Sequence, residues 1–369
     1  MRIRELRAEG WRNLEPLTLV PGERLSVLYG DNGQGKTNIL EAAYYLAVLR
    51  SFRTSHADDL IQRGHPMAVA RLSADIDHRG LQRRFDIELR SGGRVARLDG
   101  KVVRGAAAVL GGVSVVLFVP EDLLLPRAAP AARRRFMDLA IFNIERTYYG
   151  EAGGFQKVLK SRNALLKRGV SDARLMATYD EELARTGARI VVRRRAFVAA
   201  LEPLLRGHFR ALHGDIPVSL TYRSDPDVEQ AAGEDEVRLS LERGLAARRA
   251  LDERRRFTGF GPHADDLEIG LAGALARTHA SQGQLRSLVL ALKLAELSNV
   301  EARLGDPPVL LLDDVPSELD PVRRGLLFDV IAGLACQTLI SVTEREIVPA
   351  MAGDRREFML RTGRVIPNP

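Results

Sequence analysis

Two stretches far apart in the chain carry groups suited to work on phosphate. The first, Gly30-Asp31-Asn32-Gly33-Gln34-Gly35-Lys36-Thr37, fits G-x-x-x-x-G-K-[ST] without a gap. Glycines at this spacing let backbone N–H groups turn inward around an anion. Lys36 adds a mobile point charge, and the Thr37 hydroxyl is placed to ligate Mg²⁺. The helix predicted to follow points its positive end at the same anion. The second stretch, Val309-Leu310-Leu311-Leu312-Asp313-Asp314, is an apolar run ending in two carboxylates. Such a strand is buried on both faces. Its carboxylates emerge at the C-terminal edge, where open α/β sheets bind ligands. Asp313 is expected to hold Mg²⁺ directly or through water. Asp314 is expected beside an attacking water, as general base or polarising group. The pair of motifs predicts a nucleoside triphosphate site and leaves the base unspecified.

A third stretch, SQGQLRSLVL at 281–290, raises a different possibility. Ser281 and Gln284 have the spacing of a capping box, and Leu285, Leu288, Val289 and Leu292 follow at helical intervals. Taken alone, this is a well-capped core helix. Gly283 adds room for close backbone approach, and free N–H groups at a helix start form an anion site.

These residues need a scaffold. RIRELRAEG and RLSVLYG read as strands, the second feeding the glycine-rich turn and then a helix with Ile39, Leu40, Ala43 and Leu46 on one face. From about 68 to 119 the period falls to two. AVARLSADID, LQRRFDIELR, RVARLDGKVV and VSVVLFV are separated by turn residues, so antiparallel hairpins are expected through that region. From about 127 to 252 the pattern is helical and rich in arginine, with SDPDVEQAAGEDE near 224–236 reading as an acidic surface loop. After about 256, strands and helices alternate again, which implies a parallel sheet with helical crossovers. The expected division is 1–124, 125–252 and 253–369. The outer pieces form one split nucleotide-binding core, interrupted by a mainly helical lobe. The two phosphate motifs lie about 270 residues apart, far more than in simple P-loop GTPases and kinases.

Composition bounds the setting. With 369 residues and 45% hydrophobic content the chain can bury a large core. Its single cysteine, Cys336, excludes a disulfide framework and a cysteine-rich metal site. No apolar signal segment or membrane-length run is present, so a cytoplasmic protein without a membrane partner is expected. A net charge of +7 and a pI near 9.8 favour a polyanionic partner.

The set of motifs resembles the ABC-type ATPases: a signature S-[GQ]-G-Q before a helix, an apolar strand ending in two acids, then S-x-L-D at Ser317-Glu318-Leu319-Asp320. Within that superfamily the chain is similar to the RecF family, bacterial recombination mediators of the SMC-like branch. The resemblance spans essentially the whole chain. It rests on GWRNL at 10–14, GDNGQGKTN at 30–38, FVPEDL at 118–123, RRRFMD at 133–138, LKSRNALLK at 159–167, GPHADD at 261–266, SQGQLRSLVLALKLAE at 281–296 and LLLDDVPSELDPVRR at 310–324.

The resemblance implies an α/β ABC-type ATPase head, a P-loop core plus an antiparallel β subdomain, with an inserted mainly helical second lobe. It implies ATP and Mg²⁺ as cofactors. Arg12 and Asn38 join the P-loop at the nucleotide. Ser281, Gln282, Gly283, Gln284 and Asp320 reach the nucleotide of a partner protomer, so ATP joins two copies. Several positions depart from the pattern. Ala264 stands where GPHRDD has arginine. Asp314 occupies the place of the ABC catalytic glutamate, and its shorter reach agrees with slow hydrolysis. Thr343 stands at the switch-histidine position, and Glu121 lies nearest the Q-loop glutamine.

The implied activity is a weak, DNA-stimulated ATPase that dimerises on duplex DNA near single-strand gaps and junctions. There it acts with RecR and RecO to load RecA. The arginine triplets at 133–135, 193–195 and 254–256 are candidate phosphate contacts. Aromatics are only 5%, and no recognition helix or zinc finger is apparent, so base readout and strand stacking are not indicated. Two other uses of the same motifs are a transporter nucleotide-binding subunit and an SMC-type chromosome organiser. The motif spacing and the missing switch histidine oppose the first. The short middle segment opposes the second.

Overall fold

The computed structural model describes residues 1–103, 113–169, 172–350 and 353–366. The chain divides into two compact units, the first made of Met1–Leu123 with Arg286–Pro369 and the second of Leu124–Leu285.

The first unit is built on two six-stranded sheets. One is antiparallel, in the order β2-β1-β4-β5-β6-β7, from β1 (Arg2–Glu9), β2 (Leu17–Leu19), β4 (Val69–His78), β5 (Leu81–Arg90), β6 (Gly93–Leu98) and β7 (Lys101–Val103). Alternate residues of β4 and β5 face inward, as their period-two patterning requires. The second sheet runs β15-β14-β3-β13-β12-β8. It comprises β3 (Leu25–Tyr29), β8 (Val115–Phe118), β12 (Val309–Asp313), β13 (Thr338–Val342), β14 (Arg355–Arg361) and β15 (Arg364–Ile366). Its central pairings are parallel, with β12 beside β13 and β13 beside β3. Every residue of β12 and β13 is buried, as expected of strands covered on both faces. Helix α1 (Lys36–Val48) starts directly from the glycine-rich turn and buries Ile39, Leu40, Ala43 and Leu46.

VSVVLFV departs from expectation. It is not a hairpin strand: β8 pairs in parallel with β12, Val115 opposite Val309 and Phe118 opposite Leu312. A short apolar run states that it is buried but not which partner buries it.

The second unit is mainly helical. It contains α2 (Pro130–Ile144), α3 (Thr147–Arg168), α4 (Ala173–His213) and α5 (Glu234–Arg255). A three-stranded antiparallel sheet accompanies them: β9 (Val218–Arg223), β10 (Asp266–Leu271) and β11 (Ala274–Leu275), in the order β11-β10-β9. Asp172 caps the 41-residue α4 by accepting from the N–H groups of Arg174 and Leu175. Gly187 allows close packing where α4 meets its neighbours, since a β-carbon there would lie 3.3 Å from both Leu241 and Pro262. A buried charge network crosslinks the helices. Arg162, fully buried, donates to Asp180 at 2.7 Å and to Asp252 at 2.8 Å.

The second unit therefore extends to Leu285 rather than ending at 252. The cause is strand pairing: β10 hydrogen-bonds along its length to β9, so residues after 253 remain with the helices. The stretch at 224–236 is also more ordered than a loop. Asp225 caps a short helix at Pro226–Glu229, and Glu234 opens α5.

Candidate nucleotide site

The P-loop turns on three glycines with positive φ, namely Gly30 (135°), Gly33 (80°) and Gly35 (108°). A β-carbon on Gly35 would come within 2.7 Å of Leu14 Cδ2, so both conformation and space demand glycine. The turn is braced from outside. The Thr362 N–H donates to Gln34 Oε1 at 2.5 Å, and the Gly363 N–H donates to the Gln34 carbonyl at 3.1 Å. Asn13 Nδ2 donates to the Gly33 carbonyl at 3.0 Å, while Asn38 Nδ2 donates to Asn13 Oδ1 at 2.6 Å.

Lys36 is 6% exposed. Its ammonium donates to the carbonyls of Gly30 at 2.5 Å and Asp31 at 2.8 Å. Burial lowers its pKa, while the carboxylates of Asp314, Asp313 and Asp31 act in the opposite sense. The P-loop and β12 meet where Thr37 Oγ1 donates to Asp313 Oδ1 at 2.8 Å across 276 residues of sequence. Ser341, from the end of β13, donates to the same oxygen at 2.7 Å. Burial raises the Asp313 pKa, against the two hydroxyl hydrogen bonds, and the charge of Asp314 raises it further. Asp314 adopts a left-handed backbone (φ 53°). Its N–H is held by Ser341 Oγ at 3.0 Å, and its carboxylate accepts from Ser317 Oγ at 2.6 Å.

A cleft of about 270 Å³ opens over these groups. Its walls include Asn32, Gly33, Gly35, Lys36, Thr37, Asn38 and Asp314, and also Asn13, Arg53 and Ser341. The last three were not anticipated from sequence. Arg53 is exposed at the cleft and donates to Asn38 Oδ1 at 2.7 Å. Wider grooves of about 520 and 480 Å³ lie on the antiparallel sheet. They are lined by paired charges such as Arg71 with Glu9 and Glu88, and Arg84 with Asp86. Strand backbones there are taken up by sheet pairing, so the smaller cleft is the one with phosphate chemistry.

Other expected residues fall elsewhere. Arg12 does not line the cleft. Its Nε and Nη2 bind the fully buried Glu41 at 2.8 and 2.7 Å, and its Nη1 donates to the Asp59 carbonyl at 2.9 Å. Glu121 is exposed at the start of a 3₁₀ turn (Pro120–Arg127) and is also absent from the lining. Thr343 meets the P-loop through its carbonyl, which accepts from the Gly30 N–H at 3.2 Å. Asp320 caps helix α7 (Pro321–Gly333), accepting from the Arg323 N–H at 3.1 Å. That hydrogen bond lowers its pKa.

The SQGQ stretch forms the capping box in full at the start of α6 (Gln282–Leu304). The Ser281 N–H donates to Gln284 Oε1 at 2.8 Å, and the Gln284 N–H donates to Ser281 Oγ at 3.2 Å. Ser281 and Gln282 are exposed, Gly283 and Gln284 half-buried, and Leu285, Leu288, Val289 and Leu292 buried. Among the described residues no helix is long and apolar enough to cross a membrane.

Comparison with known proteins agrees with this geometry. The sequence model of the RecF/RecN/SMC N terminal domain matches residues 2–362. The DNA replication and repair protein RecF of Anaeromyxobacter dehalogenans (strain 2CP-C) is 42% identical over 373 residues, covering 100% of this chain and 99% of that one. RecF of Symbiobacterium thermophilum is also 42% identical, covering 99% and 98%. A solved structure of the recombination mediator protein RecF-ATPrS in the RecFOR pathway superposes with a TM-score of 0.91 at 29% identity, covering 99% of this chain and 97% of that one. The Pyrococcus furiosus Smc head domain shares the fold, with a TM-score of 0.55 at 15% identity. A P-loop sheet closed by the Thr37–Asp313 contact, an antiparallel subdomain and an inserted helical unit are the architecture of the ABC-type ATPase head, and the chain belongs to the RecF/RecN/SMC family, in its RecF branch.

Proposed function

We propose that the chain is an ATP-dependent DNA-binding protein of recombinational repair. ATP joins two copies across duplex DNA near single-strand gaps and junctions, and slow, DNA-stimulated hydrolysis releases them. The observation that carries this is the contact of Thr37 with Asp313, which brings a phosphate-binding turn and a buried carboxylate to one point.

A hydroxyl and a carboxylate are hard oxygen donors and fit Mg²⁺, so Thr37 and Asp313 would hold that ion. When bound, it would neutralise phosphate charge. Lys36 exchanges the Gly30 and Asp31 carbonyls for phosphate oxygens. Arg53 and Asn13 border the same cleft and add donors. Asp314 orients the attacking water, and its short side chain accounts for slow turnover. The exposed start of α6 supports a role toward a second copy. Ser281 and Gly283 there offer N–H and hydroxyl groups to the partner's γ-phosphate. Asp320 takes a role toward a partner's nucleotide as well, and Glu121 and Thr343 adjust to the nucleotide state. The solved RecF-ATP relative is described in the RecFOR pathway, which supports action with RecR and RecO. Loading of RecA and a cytoplasmic setting are parts of the same proposal and rest on the family resemblance.

Light scattering with Mg²⁺ and ATP, ADP or no nucleotide tests the clamp. The expected result is a dimer with ATP only, abolished in Lys36→Met and in Ser281→Arg. A monomer with ATP bound, or normal dimerisation of Ser281→Arg, overturns it.

A further inference from the structure

The three arginine triplets have different fates. Arg193, Arg194 and Arg195 are all engaged inside the second unit, by Glu145 and Glu151, by Asp138 and the Pro262 carbonyl, and by the carbonyls of Val228 and Ala231. Arg133 and Arg134 hold the Asp266 carboxylate and the Asp265 carbonyl. Arg135 is exposed and unengaged among the described residues, a single cation in its triplet, whereas the triplet ending α5 leaves two. Arg254 and Arg255 are exposed, and among the described residues no hydrogen bond or ion pair engages either side chain.

Local bonds bring a second set of cations beside them. Arg256 Nη1 donates to the Leu166 and Lys167 carbonyls at 3.3 and 3.4 Å. The N–H and hydroxyl of Thr258 donate to Asn163 Oδ1 at 2.8 and 2.7 Å. The last turns of α3 and α5 are thereby held together. Helix α3 contributes Lys157, Lys160, Lys167 and Arg168, all equally unengaged among the described residues. Their spacing places Lys157, Lys160 and Arg168 along one helical stripe, with Lys167 at its edge. Phe257, 48% exposed, sits beside the triplet.

Cations in a last helical turn can simply answer the helix dipole. At the end of α3 that role is already filled. The Leu166 carbonyl accepts from the Gly169 N–H and from Arg256, and the Lys167 carbonyl also accepts from Arg256. Nor are the nearby carboxylates free to neutralise the cluster. Asp180 and Asp252 are bound to Arg162, and Asp180 also to Arg249. Asp172 caps α4, while Glu181 and Glu253 are exposed and unpaired among the described residues.

We propose that Lys157, Lys160, Lys167, Arg168, Arg254 and Arg255 form a second contact surface for the phosphate backbone of nucleic acid, within the helical unit. It rests on the DNA-binding reading above and adds a site to it. Lys157 and Lys167 are separated by about 15 Å along the helix at 1.5 Å per residue. That spans about four base-pair steps of 3.4 Å along the duplex axis. Flexible stems without fixed partners suit phosphate contact and not base readout.

The test is fluorescence anisotropy of a labelled duplex of arbitrary sequence across a salt series, with ATP and Mg²⁺ present. Wild type is compared with the combined Lys157→Gln, Lys160→Gln, Arg254→Gln, Arg255→Gln variant. A Lys157→Arg, Lys160→Arg variant controls for charge. The expected result for the glutamine variant is a log K against log salt slope shallower by about 0.9 for each phosphate that is no longer neutralised. The arginine variant keeps the wild-type slope, and the ATP-dependent dimer mass stays unchanged. If wild type binds duplex and the glutamine variant has the same slope, this surface is not a DNA site, while the function proposed above stands. If wild type binds no DNA in any nucleotide state, both fall. If polyglutamate binds wild type as tightly as duplex and binds the variant more weakly, the surface serves an acidic protein and the nucleic-acid assignment is overturned.

Discussion

Arg133 and Asp266 form a two-pronged ion pair, Nε to Oδ1 at 2.8 Å and Nη2 to Oδ2 at 2.7 Å, joining α2 to the start of β10. Arg133 is 3% exposed. The flanking GPHADD residues do similar work inside the second unit. The Pro262 carbonyl accepts from Arg194 at 2.6 Å, and His263 Nε2 donates to the Thr258 carbonyl at 2.9 Å. The motif is thus a structural fastener of the helical unit. Ala264 is exposed and contributes a turn hydrogen bond through its N–H to the Gly261 carbonyl.

Removing one partner of that pair strands a buried charge. Arg133→Ala is expected to destabilise the second unit by about 3 kcal/mol. Urea unfolding measures the change. ATP affinity at low denaturant should be unchanged, because the nucleotide cleft is built from the first unit. Equal stability of variant and wild type would show that the pair contributes little.

Arg12 and Arg53 should separate stability from binding. Arg12 neutralises Glu41, which also accepts from Ser51 Oγ at 2.5 Å, and Ser51 Oγ in turn accepts from the Arg53 N–H at 2.9 Å. Arg12→Ala is expected to cost about 3 kcal/mol of stability. A companion Glu41→Gln change should restore part of it. Arg53→Ala should leave the melting temperature in place and weaken ATP binding about tenfold, the scale of one charge-assisted hydrogen bond. Equilibrium binding of a fluorescent ATP analogue reads this. Unchanged affinity in Arg53→Ala would remove that residue from the site.

The two aspartates that end β12 should fail in different ways. Asp313→Asn is expected to lower Mg²⁺-dependent ATP binding and turnover together. Asp314→Asn should retain ATP and slow hydrolysis about a hundredfold, the scale of a general base. The dimer should then persist after ATP addition. Phosphate release and light scattering on one sample distinguish these outcomes.

Asp265 gives a pH dependence with a definite sign. Burial pushes its pKa up to about 6 despite the hydrogen bond from Tyr222 and the nearby charges of Arg194 and Arg134. The unfolded carboxyl titrates near 3.9. The folded form therefore holds its proton longer, and this group's stabilising contribution is full below about 4 and lost as pH rises through about 6. Asp265→Asn should flatten that part of the stability profile between about pH 4 and 6. The variant should be relatively more stable than wild type at pH 7.5 than at pH 4. Parallel profiles for the two proteins would show that Asp265 does not titrate in this window.

The sequence was most legible where chemistry is local. The P-loop glycines, the buried run of β12 and the reciprocal Ser281–Gln284 cap are all short-range patterns, and each lies where its spacing indicates. Pairing was harder to read. β8 looks the same whether its neighbour is a hairpin partner or β12, and β10 gives no sign in sequence that β9 will hold it. Nothing in the sequence marked Arg53 as a cleft residue or Glu41, a carboxylate inside an otherwise apolar helix face, as the partner of Arg12. Glu41 is completely buried and holds Arg12 through two hydrogen bonds.

The brace behind the P-loop has a consequence for biosynthesis. Gln34 leaves the ribosome early, whereas its partners Thr362 and Gly363 follow only after the helical unit and most of the parallel sheet have been made. Asp313 and Ser341 are late as well. A nascent chain therefore carries the phosphate turn for most of its synthesis without the groups that complete it. A complete nucleotide cleft is therefore expected only once the C-terminal residues have been made.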